Sequence, residues 1–300
     1  MGRIDVALVT GATGLVGGAL VARLRAEGVR VLATARTYDA ERALREMGAE
    51  PLHTDLANIG QWRREAEGAD VVFHLAQPRT TPPLRRGAAR RRGRAAAAGA
   101  RALHEVAGDR PVVMLSTGLV HGSRAEPAVD DAPVVGEIAL ARAAAATEEA
   151  LAGADLRVVR VPWVHGPGGL MRDLIVGLRI RRYRIVGTGT NAWAMLGADD
   201  AAAALVAAVG APPGAYSAAE ADIPTQADVV GVICGVPGHR HPDRTPLALA
   251  AMSMGGAMSQ ALSASLAIGT GRLADHGWAP RQDWREELVR LAEGSLPLPT

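Results

Sequence analysis

Hydrophobic positions near the start of the chain fall into two rhythms. Residues 4 to 10, IDVALVT, form an apolar run rich in Val, Leu and Ile, of the kind that lies as a strand buried on both faces. The run passes directly into GATGLVGGALVARLRAEG, where Leu15, Ala19, Leu20 and Leu24 recur at helical spacing until Gly28 stops the helix. A second apolar strand, VRVLATAR, spans Val29 to Arg36. Much later, Leu170, Met171, Leu174, Ile175 and Leu178 predict a helix bordering a pocket, and residues 245 to 271 form an apolar, methionine-bearing stretch that reads as core packing, with a pliable apolar pocket lining as the alternative. No run reaches the ~18 uncharged apolar residues of a membrane helix, so a soluble, cytoplasmic protein is expected.

Composition narrows the chemistry. All 33 basic side chains are arginine, which excludes a Schiff-base lysine, a Walker phosphate loop and any lysine acid-base couple. Only Tyr38, Tyr183 and Tyr216 could supply a phenol, and the single Cys234 forbids an internal disulfide. The formal charge of +2 is too mild to imply nucleic acid. His239 and His241 lack the neighbours of a metal site, so no metal is expected.

Gly11, Gly14 and Gly17 give G-x-x-G-x-x-G between the first strand and the first helix. Glycines there let backbone N–H groups approach a pyrophosphate, and the helix N-terminus adds roughly half a positive charge. The second strand ends in Thr34, Ala35 and Arg36, with no carboxylate for a ribose diol. Arg36 can pair with a 2′-phosphate instead, which favours NADP over NAD.

Taken together, the chain resembles the extended short-chain dehydrogenase/reductases, which include NAD-dependent epimerases and dehydratases of nucleotide sugars. VTGATGLVGGAL resembles their opening loop, so Thr13, Leu15 and Val16 join the three glycines as expected cofactor contacts. HTDLAN, with Asp55 and Leu56, resembles the adenine-edge motif, and ADVVFHLAQ, with Leu75, Ala76 and Gln77, the fourth strand behind the cofactor. PVVMLSTGLVHG resembles the fifth strand, and LRVVRVPWVHGPGG the segment whose Pro162 and Val164 line the nicotinamide end. The resemblance implies an α/β fold, a Rossmann-type doubly wound parallel sheet. Residues 1 to 165 are expected to bind NAD(P), with chain returns near 185 to 217. Residues 166 to 300 are expected to form mainly a smaller substrate-binding region. A homodimer is implied as well.

At the expected catalytic helix the text departs from the family. Where relatives carry Tyr-x-x-x-Lys, residues 140 to 151 read LARAAAATEEAL, which puts Leu140 in place of the tyrosine and Ala144 in place of the lysine. In the family mechanism the tyrosine exchanges a proton with the substrate oxygen while hydride moves, and the lysine lowers its pKa from ~10. Leucine carries no proton, and Arg142 lies about 200° around the helix from Ala144. Remaining candidates are Ser116, which the resemblance places on the substrate oxygen, Thr117 as its backup, and His121 and His165, which end strands where relatives have tyrosine. His74 reads as a satisfied core residue. Asp130 and Asp131 read as loop or helix-capping residues, and the basic run at residues 79 to 94 reads as an anion site or flap ahead of the next helix.

Three functions stay open from sequence. One is an atypical NADP-dependent oxidoreductase of a small, fairly apolar ketone or alcohol, in specialised metabolism. The second is a cyclase, isomerase or dehydratase on the same scaffold, and the third a protein that only senses NADP or binds a partner.

Overall fold

A computed structural model describes residues 4–54, 63–77 and 83–294. Its main sheet has seven strands: β1 (Val6–Thr10), β2 (Arg30–Ala35), β3 (Glu50–His53), β4 (Val71–His74), β5 (Val112–Thr117), β6 (Leu156–Val161) and β10 (Gly214–Ser217). Their order is β10-β6-β5-β4-β1-β2-β3, and every pairing is parallel. Chain order reverses between β1 and β4, which opens a crevice at the carboxyl ends of these strands, where doubly wound sheets bind ligands. The fold is therefore a Rossmann-like α/β fold.

Helices cover both faces because the central strands are apolar on both. On one side α1 (Leu15–Ala26) and α7 (Ala198–Val209) pack against Val9, Val31, Val113 and Val159. Leu20 and Leu24 of α1 are fully buried there, each stabilising the fold by about 1.5–3 kcal/mol. On the other side α4 (Arg86–Ala107) places Ala100, Leu103 and Val106 over Leu8, Val72 and Met114. Between β2 and β4 lie α2 (Tyr38–Glu46) and the short α3 (Arg63–Ala66).

Beyond these layers, α5 (Arg142–Ala150) runs alongside α4 and returns the chain to β6. A second core gathers α6 (Gly169–Arg179), α8 (Gln226–Cys234), α9 (Leu247–Met254), α10 (Gly256–Ser263) and α11 (Trp284–Glu293). Two small sheets brace it: β7 (Trp163–His165) with β9 (Met195–Gly197), and β8 (Ile185–Val186) with β11 (Arg244–Thr245). Of residues 185 to 217, the segment Gly214–Ser217 joins the main sheet, while β8 and β9 belong to the small ones. Met171, Leu174, Ile175 and Leu178 of the predicted helix are buried on α6. The apolar stretch at 245 to 271 splits at Gly255, whose φ of +86° breaks the helix and whose hydrogen lies where a Cβ would overlap the Leu84 carbonyl.

Two expectations need correction. The basic run is not a loop ahead of the helix, since residues 86–94 form the first turns of α4. Arginine and alanine are strong helix formers, and the helix starts at Arg86, behind its N-cap Arg85; residues 79–82 lie outside the described residues. Asp130 is no solvated loop residue either, being only 4% exposed.

Candidate functional site

The glycine loop is built so tightly that side chains are excluded. Gly11 has φ +75°, and a Cβ there would lie 2.6 Å from the Leu75 carbonyl carbon. A Cβ on Gly17 would overlap the Gly11 carbonyl oxygen, which already accepts from the Gly14 N–H at 3.0 Å. Thr13 and Gly14 are exposed, and Val16 and Gly17 are buried. Helix α1 begins with neither a side-chain cap nor an acidic residue in its first turn. Its first N–H groups therefore have no side-chain partner and leave a partial positive charge at the crevice.

The rest of the crevice wall comes from three strand ends. Leu75 is buried and Ala76 half-buried behind the loop, while Gln77 is exposed and donates to the Leu115 carbonyl at 3.4 Å. Leu15 reaches across to the segment after β6, where a Cβ on Gly166 would meet its Cδ1 at 2.9 Å. Pro162 is buried and Val164 half-buried in that segment. At the other end Arg36 is exposed just past β2, with no protein partner among the described residues. Asp55 and Leu56 lie outside the described residues. Loop, strand ends and α1 together fit a dinucleotide.

At the tip of β5 the structure draws in residues that sequence reasoning passed over. Ser116 donates to Glu148 Oε1 at 2.5 Å, and Arg160 donates to Glu148 Oε2 at 2.7 Å. Arg160 also donates to the Asp130 carbonyl at 2.9 Å. The Asp130 carboxylate accepts from the backbone N–H groups of Ser217 and Arg272, both at 2.7 Å. This network ties β5, α5, β6, β10 and the 272–276 turn together. Ser116 and Asp130 stand out in the sequence, whereas Glu148 lies in the T-E-E flank of residues 140 to 151 and Arg160 within an apolar strand, with nothing local to mark either. Thr117, half-buried, caps the following 3-10 turn by accepting from the Leu119 N–H at 3.3 Å.

Both candidate histidines are closed in. His121, 2% exposed, donates from Nδ1 to the Pro133 carbonyl at 3.0 Å, which leaves Nε2 as an unpartnered lone pair. Burial holds its pKa below the ordinary imidazole range, and Arg160 adds to the depression against the pull of Pro133 and Glu148. His165 has no exposed surface, donates from Nε2 to Glu220 at 2.6 Å, and leaves Nδ1 unpartnered. Glu220 is held in turn by the Trp284 N–H at 2.8 Å. His74 is a satisfied core residue, 2.8 Å from the Thr10 hydroxyl.

Helix α5 begins at Arg142, so Leu140 sits in the preceding turn and Ala144 lies within the first helical turns. Leu140 packs half-buried on the apolar cluster that contains Ala144, Ala141 and Ile138. Arg142 turns outward and donates to the Gly136 carbonyl at 3.1 Å. Among the described residues no group of three or more His, Cys, Asp or Glu is arranged for a metal, and no helix is long and apolar enough to cross a membrane.

Comparison with known proteins places this geometry in a family. The model of the NAD dependent epimerase/dehydratase family matches residues 7 to 219. The chain is similar to a 3-diazoavenalumate denitrifying reductase of a Streptomyces species, at 30% identity over 94% of this chain and 99% of that protein. It also resembles a 2-alkyl-3-oxoalkanoate reductase of Shewanella oneidensis at 38% identity, a match of 74 residues spanning 25% of this chain and 19% of that protein. Among solved structures, the human epimerase family protein SDR39U1 with NADPH superposes with a TM-score of 0.79 at 19% identity, covering 96% of this chain and 99% of that one. UDP-glucose 4-epimerase of Thermotoga maritima with UDP-glucose gives 0.79 at 18% identity, covering 96% and 97%. At such identities these two likenesses speak for the fold.

Proposed function

The chain belongs to the NAD dependent epimerase/dehydratase family, and from that membership we propose that it is a cytoplasmic reductase that uses NADP in preference to NAD. Its substrate is a small, largely apolar electrophile bearing an aromatic ring and a carboxylate. Gly11, Thr13, Gly14, Leu15, Val16 and Gly17 hold the dinucleotide with Leu75, Ala76 and Gln77, and Arg36 takes the 2′-phosphate. Pro162 and Val164 border the nicotinamide end.

One observation carries the choice of acceptor: the positions that the family resemblance gives to tyrosine and lysine are Leu140 and Ala144, both packed into an apolar cluster. Ser116 is already bound to Glu148 and His165 to Glu220. Reducing a ketone requires a proton on oxygen in the transition state, and losing the positioned acid removes ~10²- to 10⁴-fold of rate. A cationic acceptor requires none. The Streptomyces relative is named a 3-diazoavenalumate denitrifying reductase, and a diazo function carried on an aromatic ring as the diazonium is such an acceptor. When bound, the nicotinamide supplies hydride, and the reaction balances as Ar–N2⁺ plus NADPH giving Ar–H, N2 and NADP⁺. The chain's own residues then position and desolvate the aryl ring. Loss of the tyrosine and lysine is no handicap to this chemistry.

A second reading keeps the ketone or alcohol and rests on His121. Its Nε2 lone pair is unpartnered, and its depressed pKa keeps it neutral near pH 7. A neutral imidazole accepts a proton, so this reading favours alcohol oxidation, with Thr117 or Ser116 orienting the oxygen.

Anaerobic assay of NADPH oxidation decides between them. With a substituted benzenediazonium carboxylate the expected products are the dediazotised arene and N2, one each per NADPH consumed. Comparable turnover of ketones or alcohols, or no hydride transfer to the diazonium above a protein-free control, would sink the proposal. Light scattering during size-exclusion chromatography tests the homodimer that accompanies it.

A further inference from the structure

Among the described residues of the basic run, Arg92 has a buried nitrogen without a partner. Arg92 on α4 is half-buried, and its Nη1 is shut off from solvent with no hydrogen-bond partner among the described residues. Leaving a buried donor unsatisfied costs about 1–3 kcal/mol, and more when the group is charged. Most arginines of the run, including Arg85, Arg90, Arg91 and Arg94, are exposed and hydrated. Arg92 differs from them in place rather than in type.

That place is beside the altered catalytic helix. Ala89, Gly93, Ala97 and Ala100 form the buried stripe of α4, and a Cβ on Gly93 would lie 3.6 Å from the Ala143 Cα. The two helices therefore meet where Gly93, the neighbour of Arg92 in sequence, faces Ala143, the neighbour of Ala144. Arg92 flanks the stripe four residues after Ala88, on the same helical edge. Ala88 packs on the cluster that holds Leu140, Ala141 and Ala144. The first turns of α4 follow the carboxyl end of β4, on the ligand side of the sheet. Alanine predominates around this junction and supplies neither a competing carboxylate nor bulk.

We propose that Arg92 is a substrate-binding residue that receives the substrate's carboxylate. A guanidinium fork matches a carboxylate bidentately, and such charge-assisted pairs are among the stronger hydrogen bonds. In this site the positive charge comes from α4, one helix away from the position where the family's lysine would stand. The proposal rests on the carboxylated substrate of the reductase reading and names the residue that recognises it.

Binding without turnover tests it. Benzoate, cinnamate and 4-hydroxycinnamate, each paired with its methyl ester, are titrated into the NADP⁺-saturated protein by calorimetry. At least one acid is expected to bind about tenfold or more tightly than its ester. Arg92→Ala abolishes that preference, Arg92→Lys restores part of it, and Arg91→Ala leaves it intact. NADPH binding and the thermal melt of each variant report whether the fold persists. Equal binding of acid and ester, failure of all three acids to bind, or an acid preference that survives Arg92→Ala overturns the assignment. An intact Arg92-dependent preference in a protein that reduces no diazonium counts against the hydride reading alone.

Discussion

The Ser116 hydroxyl donates a hydrogen bond to Glu148 at 2.5 Å, and the carboxylate so occupied is the one that neutralises Arg160. Both charged side chains are about a tenth exposed, at 8% for Arg160 and 11% for Glu148. Removing one partner of such a pair strands the other in a poorly solvated place. Glu148→Ala is expected to cost about 3–5 kcal/mol, whereas Ser116→Ala forfeits one hydrogen bond, about 1 kcal/mol. Urea denaturation of the two variants measures the difference. Equal costs would show that the pair is solvated in solution and that Ser116 is freer than its geometry indicates.

Gly17 has no room for a Cβ because the Gly11 carbonyl fills that space. Gly17→Ala must push the loop away from α1 and out of register with a pyrophosphate. NADPH affinity should fall about tenfold or more, which corresponds to about 1.4 kcal/mol of lost fit. Gly28→Ala is the control, since nothing lies within 4 Å of a Cβ there and its strain comes only from φ +80° at the far end of α1. Fluorescence titration with NADPH should find the Gly28 variant near wild type.

Arg36 stands exposed at the end of β2 without a protein partner among the described residues. Arg36→Ala should weaken NADPH binding while leaving NADH binding unchanged, so that the two affinities converge. An identical loss for both cofactors would assign Arg36 to the shared part of the dinucleotide and leave the 2′-phosphate unexplained.

His74 provides a pH prediction with a defined sign. Burial lowers its pKa from 6.5 to about 4, so the folded protein binds fewer protons than the unfolded chain between those values. Stability from this group is complete above pH 6.5 and is lost as pH falls toward 4, to the extent of roughly 3 kcal/mol. His121 shifts in the same direction through burial and deepens the slope. Denaturation midpoints measured at pH 7 and pH 5 should differ less in His74→Gln than in wild type. An unchanged difference would place the pH sensitivity elsewhere.

Local signals reached as far as local chemistry allows. The Gly11-Gly14-Gly17 loop, helix α1 and the apolar face of α6 were legible because turn glycines and helical spacing are written within a few residues. The ties of Asp130 to Ser217 and Arg272 span more than 80 residues, and no composition rule separates that aspartate from exposed Asp131 beside it. Glu148 and Arg160 likewise meet only because α5 folds back onto β6. The start of α5 was unmarked: Ala141 occupies its N-cap without a side-chain hydrogen bond, and alanine extends a helix without announcing its boundary. Arg92 was read within a charge run, and only the crossing of α4 and α5 distinguishes it from its exposed neighbours.

Introducing tyrosine and lysine at the two positions that the family resemblance gives them tests whether this pocket suits ketone reduction. Ala144 is 4% exposed within an apolar cluster, so a lysine there buries a cation and overpacks the α4–α5 crossing. Leu140 is half-buried in the turn ahead of α5 and tolerates a phenol more easily. Leu140→Tyr alone should fold nearly as well as wild type, while Ala144→Lys should lose about 1–3 kcal/mol or more. If the acceptor needs no proton, neither Leu140→Tyr nor the double variant speeds diazonium reduction, because hydride transfer to a cation gains nothing from an added acid. A pocket suited to ketones behaves in the opposite way: the double variant, even destabilised, raises ketone turnover above wild type. Measuring both acceptors on the same variants separates the two readings, and a gain with the ketone would overturn the proton-free assignment made from Leu140 and Ala144.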